Sequence, residues 1–358
     1  METLREHSEE LFAEELAELK KQERFKVPTN WEMSPKSVLT YLMGGKLKNG
    51  FEVTPKYIGE KRVIEIAIAT LVTDRALLLY GVPGTGKSWV SEHLTAAISG
   101  NSKLIVQGTA GTSEEAIRYG WNYAQLLAKG PSKEALVETP VMRAMQTGKI
   151  VRVEELTRIP AEVQDTLITV LSEKSMPIAE LNTEVSANRG FNLIATANNK
   201  DKGVNDLSGA LKRRFNTVIL PLPSSQKVEL EIVESRVKSM AEMLELPIEA
   251  NSFAHISNLV TIFRELRAGV TSDGKSKLKS PTGTLSTAEV ISVVNQGLSL
   301  SAHFGDGELN EEDIAAGLMG AVIKDPVQDK IVFKEYLENV MRKRAEYKGI
   351  YLACKELV

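Results

Sequence analysis

The octapeptide Gly81-Val82-Pro83-Gly84-Thr85-Gly86-Lys87-Ser88 narrows the possible folds more than any other stretch of this chain. It fits the phosphate-binding pattern G-x-x-x-x-G-K-[ST] without a gap. Its surroundings fit as well. Ala76-Leu77-Leu78-Leu79-Tyr80 is an apolar run that reads as a buried strand, and Ser88 to Ile98 reads as a helix closed by Gly100. Glycines in such a loop let backbone N–H groups curl round phosphate oxygens with no side chain in the way. The helix start adds the positive end of its dipole. Lys87 is expected to reach the β- and γ-phosphates, and the Ser88 hydroxyl to hold Mg²⁺.

Around this loop, from about residue 51 to 223, short apolar strands alternate with helices. Candidate strands are Leu77–Tyr80, Leu104–Gln107, Ile150–Val153, Asn192–Ala197 and Thr217–Leu220. Such alternation predicts an α/β core with a five-stranded parallel sheet between helices, its ligand at the carboxyl ends of the strands. Before the core, residues 1–25 predict an amphipathic helix with Leu4, Leu11, Leu16 and Leu19 near helical spacing, broken at Val27-Pro28. A short helix over Ser37–Met43 follows, ended by Gly44-Gly45. Beyond Pro221 and Pro223 the strand signal fades, and 226–268 and 285–345 predict helices. Between them, Thr271 to Lys279 predicts a polar surface loop. The expected division is a helical extension over 1–50, an α/β nucleotide-binding core over 51–223 and a helical lid over 224–358.

Composition closes several other routes. The 358 residues carry a net charge of −3, which offers no electrostatic case for nucleic acid or an anionic membrane. One cysteine, Cys354, cannot make an intrachain disulfide and suits a reducing cytoplasm. The four histidines, 7, 93, 255 and 303, are scattered and set no zinc-ligand spacing. No apolar run approaches the roughly 18 residues needed to span a bilayer, and the polar, acidic start is unlike a signal peptide.

Three further stretches bear on hydrolysis, which needs a metal partner, a group to position water and a positive charge. Lys149 to Glu155 reads as a strand ending in two carboxylates, Glu154 and Glu155. Side chains alternate across a strand, so adjacent carboxylates at its end can do different work. Phe191 to Asn198 reads as another strand, ending in an amide that could bond the γ-phosphate or the attacking water. Leu211-Lys212-Arg213-Arg214-Phe215 sets two arginines before a strand, and arginine binds phosphate through its planar fork.

In this order, Gly81–Ser88, Val153-Glu154-Glu155-Leu156-Thr157-Arg158, Ala195-Thr196-Ala197-Asn198 and Leu207–Phe215 resemble an AAA+ ATPase, and more narrowly its MoxR-type branch. The resemblance covers about residues 55–223 well, the helical lid more loosely and the first 50 residues poorly. It implies ATP and Mg²⁺ bound between subunits of a hexameric ring. By position it implies Glu154 as the metal-supporting acid with Ser88, Glu155 as the catalytic base and Asn198 as the first sensor. Arg214 matches the arginine before Phe and is the first candidate for a finger reaching a neighbour's site, with Arg213 close behind. Arg158 matches an arginine often near the subunit interface. Ile58 and Gly59 match the segment near adenine, so the expected nucleotide contacts are Ile58, Gly59, Val82, Pro83, Gly84, Thr85, Gly86, Lys87, Ser88 and Trp89. Residues 108–140, with Tyr119-Gly120-Trp121-Asn122-Tyr123, match an insertion, and 175–187 match a hairpin before the sensor strand. The aromatic cluster could grip a partner or support the base of the insertion.

Two positions depart from that pattern. Glu154 stands where Asp is usual, and Ser280 to Ala288 holds no second-sensor arginine, leaving Lys279 or Arg158 as substitutes. The implied role is a chaperone-like remodelling ATPase acting on a protein partner, one with a von Willebrand factor A domain. A nucleic-acid motor is the alternative. A small-molecule kinase or GTPase is a third class, although Asn199-Lys200-Asp201-Lys202 ends in Lys202 where guanine readers need Asp.

Overall fold

The computed structural model describes residues 5–198, 205–248 and 252–357. It divides into two compact units, one of Met1–Gly81 and Gly86–Leu220, the other of Pro221–Val358 with the loop residues Val82–Thr85.

The first unit is built on a five-stranded sheet of β1 (Ala76–Gly81), β2 (Ile105–Gln107), β3 (Ile150–Glu154), β4 (Asn192–Asn198) and β5 (Phe215–Ile219), in spatial order β5-β1-β4-β3-β2. Every pairing is parallel, so the expected α/β core is borne out. Each predicted strand is present. The last begins two residues earlier than expected, because Phe215 pairs with Ala76 and is itself buried.

Side-chain alternation sorts these strands into two core layers. Ala76, Leu78, Val151, Val153, Leu193, Ala195 and Ala197 pack on one face. Leu77, Leu79, Ile150, Ile194 and Val218 pack on the other, beneath α3 (Pro35–Met43), α4 (Lys61–Val72) and α5 (Lys87–Ser99). On this second face the apolar sequence stops short of the carboxyl ends. Ile150 is followed by Arg152 and Glu154, and Ile194 by Thr196 and Asn198. All four polar residues are buried.

The amino-terminal segment forms two helices, α1 (Ser8–Leu11) and α2 (Ala13–Lys21), where one was expected. The break falls at Phe12, whose backbone leaves the helical region at φ −113°, ψ 30°. There its ring meets Tyr41 and His93 edge-on, and the Lys56 ammonium lies 4.2 Å from its centre. His93 itself is wholly buried, a core histidine. The Ser37–Met43 helix starts at Pro35 under a Ser34 cap and ends at Gly44, where φ is +75° and a Cβ would lie 2.8 Å from the Pro55 nitrogen.

The second unit is helical, as expected: Gln226–Met243, Ser252–Ala268, Thr287–Phe304, Glu311–Val322, Gln328–Asn339 and Lys348–Leu357 enclose one apolar core. The stretch 285–345 is broken after Phe304 and again after Val322. The second break is held by Asp329, which accepts from the backbone N–H groups of Thr282, Lys324 and Asp325. Cys354 is buried here, and burial pushes its thiol up to about 12.

Candidate active site

The phosphate loop leaves β1 at Gly81 and enters α5 through Gly86. Gly84 and Gly86 sit at φ +77° and +80°, a region that favours glycine. Gly86 is the N-cap of α5 and offers no side chain, so the first-turn N–H groups have no side-chain cap. Within the loop Thr85 Oγ1 donates to the Val82 carbonyl at 3.0 Å. Lys87 is buried, its Nζ 3.1 Å from the Gly81 carbonyl at the end of β1.

Strand register brings the separated motifs to this loop. Asn198 lies beside Gly81 across the β4–β1 ladder, and Ala195 beside Val153 across β4–β3. Glu154 Oε2 accepts from Ser88 Oγ at 2.7 Å and from Thr196 Oγ1 at 2.6 Å. Its Oε1 accepts from Ser91 Oγ at 2.5 Å and from Arg152 Nη2 at 2.8 Å. Burial alone would raise the Glu154 pKa. The Arg152 charge and the Ser91, Thr196 and Ser88 hydroxyls outweigh it and hold the carboxyl below its ordinary value. This surrounding favours the ionised carboxylate, the form in which such a group can ligate a metal.

Glu155 is a different kind of carboxylate. Its backbone is left-handed (φ 54°, ψ 45°), a conformation that costs a non-glycine residue roughly 1–3 kcal/mol and gathers at functional sites. The turn swings its side chain to Asn198, whose Nδ2 donates to both carboxylate oxygens at 3.0 and 2.9 Å. Thr196 joins the two acids, donating to Glu154 and accepting the Glu155 N–H at 3.0 Å. Arg158 Nε lies 3.6 Å from Glu155 Oε2.

In the segment matched by resemblance to the adenine contact, Ile58 is half-buried and Gly59 exposed. Trp89 ties that segment to α5, its Nε1–H donating to the Lys56 carbonyl at 2.7 Å. Beyond Asn198, Arg214 Nε donates to Ser172 Oγ and Nη1 to the Ala210 carbonyl, both at 2.7 Å, whereas Arg213 is exposed. The Asn199–Lys202 segment lies outside the described residues. Lys279 pairs with Glu335 at 2.8 Å within the helical unit.

The structure thus brings together Ser88, the adjacent pair Glu154 and Glu155, and Asn198, which come from three well-separated stretches of the sequence. The motifs did not single out Thr196, Ser91 or Arg152. Thr196 and Ser91 look like ordinary filler in their elements, but Arg152 carries a legible signal: a cation amid the apolar residues of a buried strand, two positions before the acid. For a metal, the Ser88 hydroxyl and a Glu154 carboxylate oxygen are paired hard donors, the chemistry Mg²⁺ takes beside nucleotide phosphates.

In the insertion, a hairpin pairs Tyr119–Trp121 with Leu136–Glu138. Tyr119 is buried and donates to Glu180 at 2.9 Å, and Trp121 packs edge-on against it. These two rings support the base of the insertion, while Tyr123 is exposed. The hairpin expected over 175–187 pairs Ser175–Ile178 with Thr183–Ser186.

A parallel sheet in this order, with a glycine loop after β1 and acid and amide at the ends of β3 and β4, is a P-loop ATPase core, and its family models agree. Residues 76–215 match the AAA domain of the dynein-related subfamily, and residues 227–353 match the C-terminal domain of YehL-like AAA+ ATPases. YehL of Escherichia coli (strain K12) is 38% identical over 354 residues, covering 97% of this chain and 96% of YehL. The chain belongs to the YehL-like AAA+ ATPases. Among solved structures, NtrX of Brucella abortus in complex with ADP superposes with a TM-score of 0.51 at 14% identity, covering 83% of this chain and 64% of NtrX. Its ATP complex gives 0.50. That likeness is one of fold, and the chain spans under two thirds of NtrX.

Proposed function

We propose that this chain binds and hydrolyses ATP with Mg²⁺, and that it does so as a ring in which neighbours complete each other's sites. The observation that carries the reading is the pair of contacts at the strand ends: Ser88 with Glu154, and Glu155 with Asn198. The first-turn amides of α5 and Lys87 bind the phosphates. Ser88 and Glu154 would hold Mg²⁺, which neutralises charge on the β- and γ-phosphates when bound. Glu155, kept in place by Asn198, orients the attacking water and takes its proton. Arg214 or Arg213 supplies the guanidinium to a neighbour, an effect worth roughly 10³–10⁵ where such fingers act.

The finer role is a MoxR-type one, a chaperone-like remodelling ATPase working in the cytoplasm as a hexamer on a protein partner bearing a von Willebrand factor A domain. It rests on the resemblance of the motif series and on the insertion and hairpin that accompany it. Two variants test the core reading. Lys87→Ala should abolish binding of an ATP analogue. Glu155→Gln should keep binding and lose turnover by roughly 10²–10⁴-fold. Undiminished hydrolysis in Glu155→Gln would overturn the assignment. The same trapped variant should retain the client longest, and stimulation of the parent's turnover by DNA or RNA would favour a nucleic-acid motor instead.

A further inference from the structure

We propose that Arg152 is a positioning residue for the metal side of the pocket. It fixes one oxygen of Glu154 so that the other is kept for Ser88. The proposal rests on the Mg²⁺-ATP reading above.

Arg152 is only 4% exposed and lies on β3 between the apolar residues Val151 and Val153. Burying a guanidinium is costly before its partners are counted, and an apolar side chain would pack there at no such cost. Two of its three nitrogens, Nε and Nη2, converge on Glu154 and the first turns of α5. Nη2 reaches Glu154 Oε1 at 2.8 Å and the Ser88 carbonyl at 3.2 Å. Nε reaches Ser91 Oγ at 3.1 Å and Glu154 Oε1 at 3.2 Å. Nη1 reaches the Ser102 carbonyl at 3.3 Å and stands 3.8 Å from Glu92 Oε2.

The two oxygens of Glu154 are thereby divided. Oε1 takes Arg152 and Ser91, whereas Oε2 takes Ser88 and Thr196. One planar group grips both the acid and the backbone of the hydroxyl residue expected to share the metal with it. Glu154 and Ser88 are held in mutual register even before a ligand arrives. This also accounts for glutamate where aspartate is usual. Arg152 is two positions back on the same strand face, roughly 6–7 Å along the strand. The extra methylene lets a single carboxylate reach toward the arginine with one oxygen and toward α5 with the other. Lysine, a point charge with a single nitrogen, could not hold Glu154 and the Ser88 carbonyl while also reaching Ser91 and the Ser102 carbonyl, as Nε and Nη1 do here. Arg152 is in turn flanked by Glu92, which accepts from Arg5 Nη2 at 2.7 Å and from Ser8 Oγ at 3.0 Å.

A purely structural arginine would predict something else: equal loss of every ligand-binding property as α5 loosens from β3. The test uses the full-length protein and a fluorescent ATP analogue, titrated in EDTA and then with magnesium chloride. In Arg152→Met and Arg152→Lys, affinity in EDTA should stay within about 2-fold of the parent. The magnesium concentration that half-tightens analogue binding should rise about 10-fold, the usual scale when a residue supporting a metal ligand is removed. An unchanged magnesium midpoint in either folded variant would overturn the proposal. So would equal losses in EDTA and magnesium, or failure of both variants to fold. If the parent itself showed no magnesium-dependent binding, the ATPase reading would fall first.

Discussion

Glu155 and Glu154 adjoin in sequence and differ in almost everything physical. Glu154 is buried with five donors around it, and Glu155 turns out through a left-handed backbone to the Asn198 amide and the Arg158 guanidinium. Sequence spacing indicates that two acids end a strand, but cannot say which is sheltered, because that depends on the helix packed over the face. The same lesson holds for Glu229 in the helical unit. It is wholly buried, and accepts from Arg267 at 2.7 Å, Arg264 at 2.8 Å and Thr287 at 2.8 Å. Burial would raise its pKa, and the Arg267 bond and charge, then Arg264 and Thr287, bring it below the ordinary 4.5. A depressed carboxylate stabilises the fold fully above its unfolded value and loses that contribution as pH falls through the folded value. Glu229→Gln should therefore cost roughly 2–4 kcal/mol at pH 7, less than a fully buried pair because both arginines reach water. The deficit should shrink as unfolding is followed below about pH 4.5. A pH-independent deficit would show that packing, not charge, is at stake.

At the scale of elements, the amino-terminal helices are bound to the ATPase unit by polar groups. Lys56 is buried, pairs with Glu15 of α2 and donates to the Thr54 carbonyl at 2.7 Å, while Arg5 and Ser8 meet Glu92 of α5. A sequence-level helix with a leucine stripe gave no reason to expect this anchoring. The stripe's Leu16 and Leu19 are buried as it implied, but Leu11 is exposed. Glu15→Ala would leave a buried ammonium without its carboxylate, at a cost of about 3 kcal/mol. Hydrogen exchange over 8–21 should quicken, and Trp89 fluorescence should shift, since Trp89 bonds the Lys56 carbonyl. Unaltered protection of 8–21 would show that apolar packing alone holds the segment. The insertion behaves oppositely. Leu127 is 88% exposed on the helix Tyr123–Lys129, so Leu127→Ala should move stability by no more than about 0.5 kcal/mol. Tyr119→Phe, which strips a hydroxyl from Glu180, should cost about 1 kcal/mol in thermal or denaturant unfolding.

For the whole molecule, the proposed sharing of catalytic pockets between neighbours makes a prediction that isolated subunits cannot satisfy. Glu155→Gln protein and Arg213→Ala/Arg214→Ala protein should each be nearly inactive. Mixed in equal amounts and allowed to exchange, they should recover about a quarter of parental turnover, the share of junctions that randomly join an intact acid to an intact arginine. No recovery between two proteins that demonstrably co-assemble would mean each subunit works alone. Single alanine variants separate Arg213, exposed, from Arg214, engaged with Ser172 and Ala210. By itself the sequence determined the parallel sheet, the glycine loop and the ordered polar strand ends, because those are set by local periodicity, by glycine's access to positive φ and by spacing along one chain. Only the tertiary structure decided that Arg152, Ser91 and Thr196 surround Glu154 and that Asn198 meets Glu155. Those meetings depend on strand order and register, which place residues from the two strands β3 and β4 and from the helix α5 within bonding distance, and no local pattern encodes which strands become neighbours.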